Sequence, residues 1–267
     1  MGHSTHKTRQ LVLTGLMTAL VFLFTFVIKV PVPFTSGYIH LGDAMIFLSV
    51  LAVGPIHGAF AAGVGSMLSD LLGGYAQYAL PTLVIKAAMA LLTGLAMAGR
   101  TRRSVILSAC AVTTVWGAFL ALLYTGLSAA VSQYGAKLSA IVFPEGGAEE
   151  LAAADRMAGN LPAYLLAAFV GVTLVVALAA WLVSRREAKG AFSFRALIGM
   201  SAGGMCMIIG YFLTEAFLMG YGVLPATFSV PMNLLQFAGG ILIAAALSPA
   251  VAKARAMLSP EGEASGR

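Results

Sequence analysis

The sequence predicts an all-α fold, a polytopic membrane helical bundle of about eight helices that forms a single membrane domain over residues 1–267. Hydrophobic residues make up 60% of the chain and charged residues 10%, whereas soluble domains carry about 25% charged residues. The mean hydropathy is +0.92. A chain this apolar cannot hide its surface in one water-soluble core, so lipid must be the solvent for most of it.

The apolar residues fall into separate runs, most of which can cross about 30 Å of hydrocarbon at about 1.5 Å per helical residue. No small-residue cleavage site follows the first run, so we expect a transmembrane helix there and not a removable signal. Gly54 and Pro55 separate the second run from the third, and this dipeptide breaks helices. The runs are 10–30, 43–54, 56–73, 81–99, 104–132, 161–184, 196–220 and 231–252.

Basic residues cluster between the apolar runs in the pattern of the positive-inside rule. A single span over 43–73 would move the later clusters outside, so the pattern favours eight crossings. We therefore expect a multi-pass protein of the bacterial cell (inner) membrane with both termini cytoplasmic, an acidic outer loop at 133–160 and a disordered tail at 256–267. Twelve of the 16 basic residues then lie inside: Lys7, Arg9, Arg100, Arg102, Arg103, Arg185, Arg186, Lys189, Arg195, Lys253, Arg255 and Arg267.

Polar residues within the predicted spans concentrate at their outer ends. Charged side chains inside a membrane are costly and mark functional sites. Since the inner halves of the same helices hold almost no charge, we expect a polar pocket that opens outward above apolar packing and suits an amphipathic small molecule. The candidate substrate-binding residues are Asp70, Lys86, Glu215, Asn233 and Gln236 in the spans, with Tyr75, Tyr78 and His40 in or beside the adjoining loops.

Structural roles stay open for several of these residues. Asp70 and Lys86 either pair with each other, because a buried charge needs a partner, or contact the ligand. Asp43 stands at the start of the second helix, where a carboxylate caps free N–H groups. Tyr75 and Tyr78 also suit the aromatic belt at the membrane interface.

Small residues recur at a spacing of four, which lets helix backbones approach closely. Such pairs serve either internal packing or the docking of another membrane subunit. They are Gly15 and Ala19 in the first helix, and Ala59 with Gly63 and Ala61 with Gly65 in the third.

The sequence contains no recognisable catalytic, metal-binding or nucleotide-binding motif. Residues 94–101 read G-x-x-x-x-G-R-T, but arginine replaces the phosphate-loop lysine and the segment ends a helix instead of following a strand. The two cysteines, Cys110 and Cys206, are isolated in apolar stretches. We expect no enzyme activity, no metal, no cofactor and no nucleic-acid partner.

Six motifs together resemble a known family of membrane subunits. They are YIHLGDA at 38–44, GPIHGA at 54–59, GSMLSDL at 65–71, PTLVIK at 81–86, GYFLTEA at 210–216 and NLLQ at 233–236. In this order and spacing they resemble the S components of energy-coupling factor (ECF) transporters, in the riboflavin- or hydroxymethylpyrimidine-type branch.

The resemblance implies a substrate-binding subunit with a six-helix core, here at 9–99 and 196–252. A transmembrane hairpin at 101–190, with the acidic outer loop, is then an insertion. The implied partners are a small vitamin-like substrate, a transmembrane coupling subunit and cytoplasmic ATPase subunits. Gly15 and Ala19 match the position of the motif by which the family docks on the coupling subunit.

The implied function is the capture of a vitamin or vitamin precursor from outside and its delivery with an energising ATPase module. The alternative within transport is a self-sufficient secondary transporter of a small amphipathic solute. An intramembrane enzyme, which needs a nucleophile and a base or metal ligands at one depth, and a scaffold without substrate are the remaining hypotheses.

Overall fold

The computed structural model describes residues 2–32, 37–98, 101–134, 148–185 and 193–257, which are almost entirely helical. A short antiparallel pair of strands, β1 (Val30–Pro31) and β2 (Tyr38–Ile39), follows the first helix. The helices are α1 (Gly2–Phe26), α2 (Gly42–Val53), α3 (Pro55–Leu72), α4 (Ala76–Met97), α5 (Arg102–Tyr134), α6 (Ala148–Arg185), α7 (Phe194–Leu213) and α8 (Val223–Met257).

Within the described residues, six helices are long and apolar enough to cross a membrane. They contain the stretches Lys7–Phe26, Ala76–Met97, Arg103–Gln133, Gly159–Val176, Phe194–Leu218 and Val223–Ala254. The prediction of a polytopic helical membrane protein is confirmed. The helix α2 differs, because its 12 residues rise only about 18 Å.

The short helix α2 is enclosed by protein over nearly its whole length, with Gly42 to Leu51 and Val53 all buried. A helix that is apolar all round needs such enclosure. Gly54 ends it with a φ of 83°, a left-handed conformation that favours glycine, and Pro55 then starts α3 where a missing N–H is harmless. The predicted break at Gly54 is therefore confirmed. Because α2 is short, the loop after α1 must reach into the bundle to meet it.

Close packing of α1 against α3 depends on Gly65. A Cβ at this position would lie 2.7 Å from the carbonyl oxygen of Thr18, so the pair Ala61 and Gly65, both buried, serves internal packing. Gly15 and Ala19 are instead exposed on α1, and a Cβ on Gly15 would meet nothing within 4 Å. The small residues of the two helices thus have different environments.

The helices α5 and α6 pack on the outside of α7 and α8. The Trp116 ring stacks on Phe237 with centroids 6.0 Å apart, and Phe119 meets Phe212 edge to face at 5.7 Å. The helix α6 already begins at Ala148, inside the stretch 133–160 predicted as a loop. Whether 101–190 is an insertion into a six-helix core remains a prediction.

The last helix is longer than its apolar run indicates. It begins at Val223, and Pro231 lies within it instead of opening it. The hydroxyl of Thr227 donates to the carbonyl of Val223 at 2.7 Å, which ties the first turn together. Consequently Asn233 and Gln236 lie well inside the helix. The predicted tail at 256–267 falls outside the described residues beyond Met257.

Candidate functional site

A cavity lies at one end of the bundle, where the loop after α1 meets α3, α4, α7 and α8. Its volume is about 30 Å³, or about 420 Å³ when the gaps between the lining atoms and the part open to solvent are counted. The short α2 creates this space, because the chain enters the bundle as a loop where a full-length helix would fill it. The lining residues are Val32, Gly37, Tyr38, His40, Asp70, Tyr78, Thr82, Tyr211, Glu215, Ser229, Asn233 and Gln236.

A tyrosine from the loop holds the first carboxylate of the cavity. Asp70 lies in the last turn of α3, and Tyr38 of β2 donates its hydroxyl proton to Asp70 Oδ1 at 2.6 Å. Burial, followed by the neighbouring Asp70 charge, raises the pKa of Tyr38 well above its usual range. The Tyr38 hydroxyl therefore stays protonated and acts as a donor.

A second tyrosine holds the other carboxylate. Glu215 stands in a π-helical segment, Thr214–Leu218, that continues α7. Wider turns of this kind occur often at functional sites. Tyr78, from the first turn of α4, donates to Glu215 Oε1 at 3.1 Å. Thr82, one turn further along α4, shares a hydrogen bond of 3.1 Å with the Tyr211 hydroxyl.

The base of the site is a buried ion pair with its polar partners. Lys86 Nζ lies 2.5 Å from Asp43 Oδ1, with both side chains almost completely enclosed. Gln236 Nε2 donates to Asp43 Oδ2 at 2.8 Å, and the Lys86 ammonium also contacts Met207 Sδ at 3.1 Å. Both oxygens of Asp43 are thus satisfied, as a buried carboxylate requires.

This pairing corrects two interpretations from the sequence. Lys86 pairs with Asp43 and not with Asp70. Asp43 makes no capping hydrogen bond at the start of α2, because Lys86 and Gln236 occupy its two oxygens. Asp43 is on α2, which packs against both α4, where Lys86 lies, and α8, where Gln236 lies. The spacing of these residues along the chain does not reveal this packing.

His40 connects the loop to this base. Its backbone N–H donates to Gln236 Oε1 at 2.8 Å, and its Nδ1 accepts from the Gly42 N–H at 3.0 Å. Burial, followed by the nearby Lys86 charge, lowers the pKa of His40 to about 3. The imidazole is therefore neutral at physiological pH.

Lys29 sits among aromatic rings at the edge of the site. Its Nζ lies 4.7 Å from the ring centroid of Phe26, 4.8 Å from that of Tyr38 and 5.0 Å from that of Tyr75. Burial lowers the pKa of Lys29, while the charge of Asp70 opposes this shift. Cation–π attraction of this kind holds the loop against the turn between α3 and α4, where Tyr75 lies.

Comparison with known protein families shows which family contains this chain. The family model described as "ECF-type riboflavin transporter, S component" matches residues 5–180. The chain is a member of this family. This family consists of transport subunits and is not an enzyme class. The match runs continuously across most of the segment 101–190.

One curated protein is similar to part of this S component. A protein of Pyrococcus woesei described as "Uncharacterized protein in gap 3'region" is 42% identical over 83 residues, or 31% of this chain and 55% of the relative. The chain thus spans about half the length of that relative. No solved structure matches.

The S component brings most of the predicted binding residues to one cavity. Asp70, Glu215, Asn233, Gln236, Tyr78 and His40 all line it. Lys86 lies beneath the lining in its pair with Asp43, and Tyr75 stacks against Tyr38 with centroids 4.4 Å apart. These positions do not test ligand binding, so the site assignment remains a prediction.

Several lining residues were not candidates from the sequence: Tyr38, Thr82, Tyr211 and Ser229. A helical-spacing signal was present for two of them. Thr82 precedes Lys86 by one turn, and Tyr211 precedes Glu215 by one turn, so each shares a helix face with a candidate. Tyr38 comes from a loop, where periodicity gives no signal.

Proposed function

We propose that this S component captures a small vitamin, with riboflavin as the first candidate, and delivers it inward with an ECF energising module. The observation that carries the proposal is the cavity itself. Polar groups on an apolar lining occupy one end of the bundle, and the buried pair of Asp43 and Lys86 closes its base. Such a site suits a heteroaromatic molecule with polar edges.

The cavity opens to the outside if both termini are cytoplasmic. The loop segments 27–32 and 37–41 and the turns at 73–75 and 219–222 lie across the bundle from the N-terminus, since each follows an odd number of helices. The concentration of basic residues at the other end supports this orientation. Substrate then enters from outside the cell membrane, as uptake requires.

Six residues are proposed to contact the substrate directly. Their amide, hydroxyl, imidazole and carboxyl groups replace its hydration and set its orientation. Lys86 acts from beneath by fixing Asp43, and Tyr75 acts from the side by packing on Tyr38. The proposed contacts are Asp70, Glu215, Asn233, Gln236, Tyr78 and His40.

The outward surface of α1 is proposed as the contact for the coupling subunit. Gly15 and Ala19 are exposed there, and small residues permit close approach of a second helix in a membrane. The sequence has no nucleotide-binding motif in a suitable context, so the proposal assigns the energy for release to separate ATPase subunits.

Purification from the native host in mild detergent, followed by native mass spectrometry, tests both parts of the proposal. We expect one vitamin-like molecule per chain and co-purification of a coupling subunit with ATPases. The variant Gly15→Leu should lose those subunits but retain the vitamin. Gly171→Leu is the matched control, because this α6 glycine also has open space around it.

Uptake into liposomes distinguishes the alternative. Accumulation of labelled riboflavin by this chain alone, without ATP or other subunits, would show a self-sufficient transporter. Absence of both ligand and partner subunits, repeated in vitamin-starved cells, would contradict the proposal.

A further inference from the structure

A second cavity lies between α5 and α6, away from the polar one. Its volume is about 240 Å³, against about 30 Å³ for the polar cavity. Besides touching each other, the two helices rest on different neighbours, α5 on α7 and α6 mainly on α8, so a gap opens between them. Leu120 and Leu165 form its floor, since they are only 9% and 3% exposed. The gap is therefore a groove with a protein floor and an open side.

The two walls of this groove differ in the size of their side chains. On α5, Gly117 and Ala121 leave a recess, and a Cβ added to Gly117 would meet nothing within 4 Å. On α6, Leu166 and Phe169 project from the other wall and are 54% and 36% exposed. Tyr124 borders the same space, and none of the described lining residues is charged. Such a groove suits an apolar occupant, because a charged group would lose its hydration there.

The groove lies near the middle of the membrane. Its α5 residues, 117–124, include the centre of the apolar stretch Arg103–Gln133, and its α6 residues, 165–169, lie at the centre of Gly159–Val176. The open side therefore faces hydrocarbon, about 15 Å from the polar surfaces of the bilayer. Lipid tails are the abundant apolar molecules at this depth. An empty groove would leave its walls without dispersion contacts.

We infer that this groove holds the hydrocarbon tail of a membrane phospholipid as a bound, structural lipid. An apolar cavity of about 150 Å³ in a soluble protein stays dry and takes up benzene, so this larger space accommodates a longer hydrocarbon segment. A tail in the groove touches the floor and both walls, whereas a tail on a smooth helix surface touches protein on one side. The additional contacts retain the lipid and join α5 to α6. The site is separate from the proposed vitamin-binding cavity, with which it shares no lining residue.

A second protein helix fits the groove less well than a lipid tail. Helices approach closely in a membrane where both surfaces carry small residues. The exposed side chains of Leu166 and Phe169 hold a helix, which is about 10 Å wide, away from the recess. A flexible tail can pass between them and the small wall of Gly117 and Ala121.

Quenching of Trp116 fluorescence tests for the bound lipid. The chain has two tryptophans, and Trp116 directly precedes Gly117, so Trp181→Phe leaves a single reporter beside the groove. Delipidated full-length protein in detergent is titrated with phosphatidylcholine that carries two bromine atoms midway along one tail, because bromine quenches tryptophan at short range. We expect quenching that saturates at a single lipid per chain. Quenching that only follows the brominated fraction of the micelle would overturn the inference.

Filling the recess gives a matched comparison in this reporter protein. Gly117→Leu occupies the space of the tail and should require at least about 5-fold more lipid for half-maximal quenching, the lower end of the cost of overpacking. Gly126→Leu is the control, because Gly126 lies on the same helix with equally open space around it but does not line the groove. Equal lipid concentrations at half-maximal quenching for the two variants would contradict the inference.

Native mass spectrometry of the same proteins identifies the occupant. A phospholipid retained on the single chain and lost in Gly117→Leu supports the inference. A dimer that Gly117→Leu disrupts would show that a second copy fills the groove, and the inference would be wrong. Should Gly117→Leu not fold, Ala121→Leu fills the same recess, and saturation of quenching in the reporter protein still decides.

Discussion

Replacing Lys86 tests the buried pair at the base of the cavity. At the N–O distance of 2.5 Å and an effective dielectric constant of about 20, the attraction is about 7 kcal/mol. Removing both charges from water costs several kcal/mol each, which offsets most of that gain. The pair therefore contributes little net stability, but breaking it leaves Asp43 buried without its cation.

We expect Lys86→Met to destabilise the fold by about 3 kcal/mol. This is the lower end of the range for breaking a buried pair, because Gln236 still donates to Asp43. The apparent melting temperature in detergent should fall by about 6–12 °C. Adding Asp43→Asn to this variant removes the unpaired charge and should recover most of the loss.

Thermal unfolding followed by tryptophan fluorescence or light scattering provides the assay, with the two single variants and the double variant forming a cycle. Lys253→Met, at an exposed position, is the control and should change stability by less than about 0.5 kcal/mol. The reasoning is refuted if Lys86→Met has the same apparent melting temperature as the wild type, or if the double variant is no more stable than Lys86→Met. Unchanged stability with lost vitamin binding would instead identify Lys86 as a direct ligand contact.

Three further predictions concern the packing, the loop and the carboxylate support. Gly65→Val should lower stability by about 1–3 kcal/mol in thermal unfolding, because the added side chain overlaps Thr18, whereas Gly15→Val should leave it unchanged since space is open there. The depressed pKa of His40, about 3 against 6.5, means that the unfolded chain binds an extra proton between these values. Stability should therefore fall as pH drops below about 6.5, by up to about 1.4 kcal/mol per pH unit from this group. The melting temperature of His40→Asn should depend less on pH in this range. An equally steep dependence would contradict the assignment of a lowered pKa to His40. Tyr78→Phe should weaken riboflavin binding about 3- to 10-fold in a fluorescence titration, because the hydrogen bond that orients Glu215 is lost. Unchanged affinity would show that Glu215 does not contact the ligand.

Local sequence features predicted the elements of this protein well. Hydropathy identifies a membrane span because each helix satisfies its own backbone hydrogen bonds in lipid. Gly54 followed by Pro55 predicts a break because both residues act on their own backbone dihedrals. The predicted start of α8 was wrong. A proline disfavours a helix through its own backbone, but α8 continues through Pro231 because packing overrides this local preference.

The sequence does not show which residues of different helices pair with each other. Asp43 and Asp70 are both carboxylates in outer parts of predicted helices, and nothing along the chain shows which of them faces Lys86. That choice depends on how each helix is rotated about its axis. The same rotation brings Gln236 to Asp43, across 193 residues of sequence.

The sequence by itself determined that this chain is a multi-pass helical membrane protein with its polar side chains gathered at one end. These properties follow from composition and from periodicity along single helices. Tertiary structure alone decided which side chains form the cavity and how Tyr38 and Tyr78 each hold one oxygen of a carboxylate. The physical reason is that hydrogen bonds and ion pairs act over about 3 Å, so their partners are set by the packing of helices that are distant in sequence.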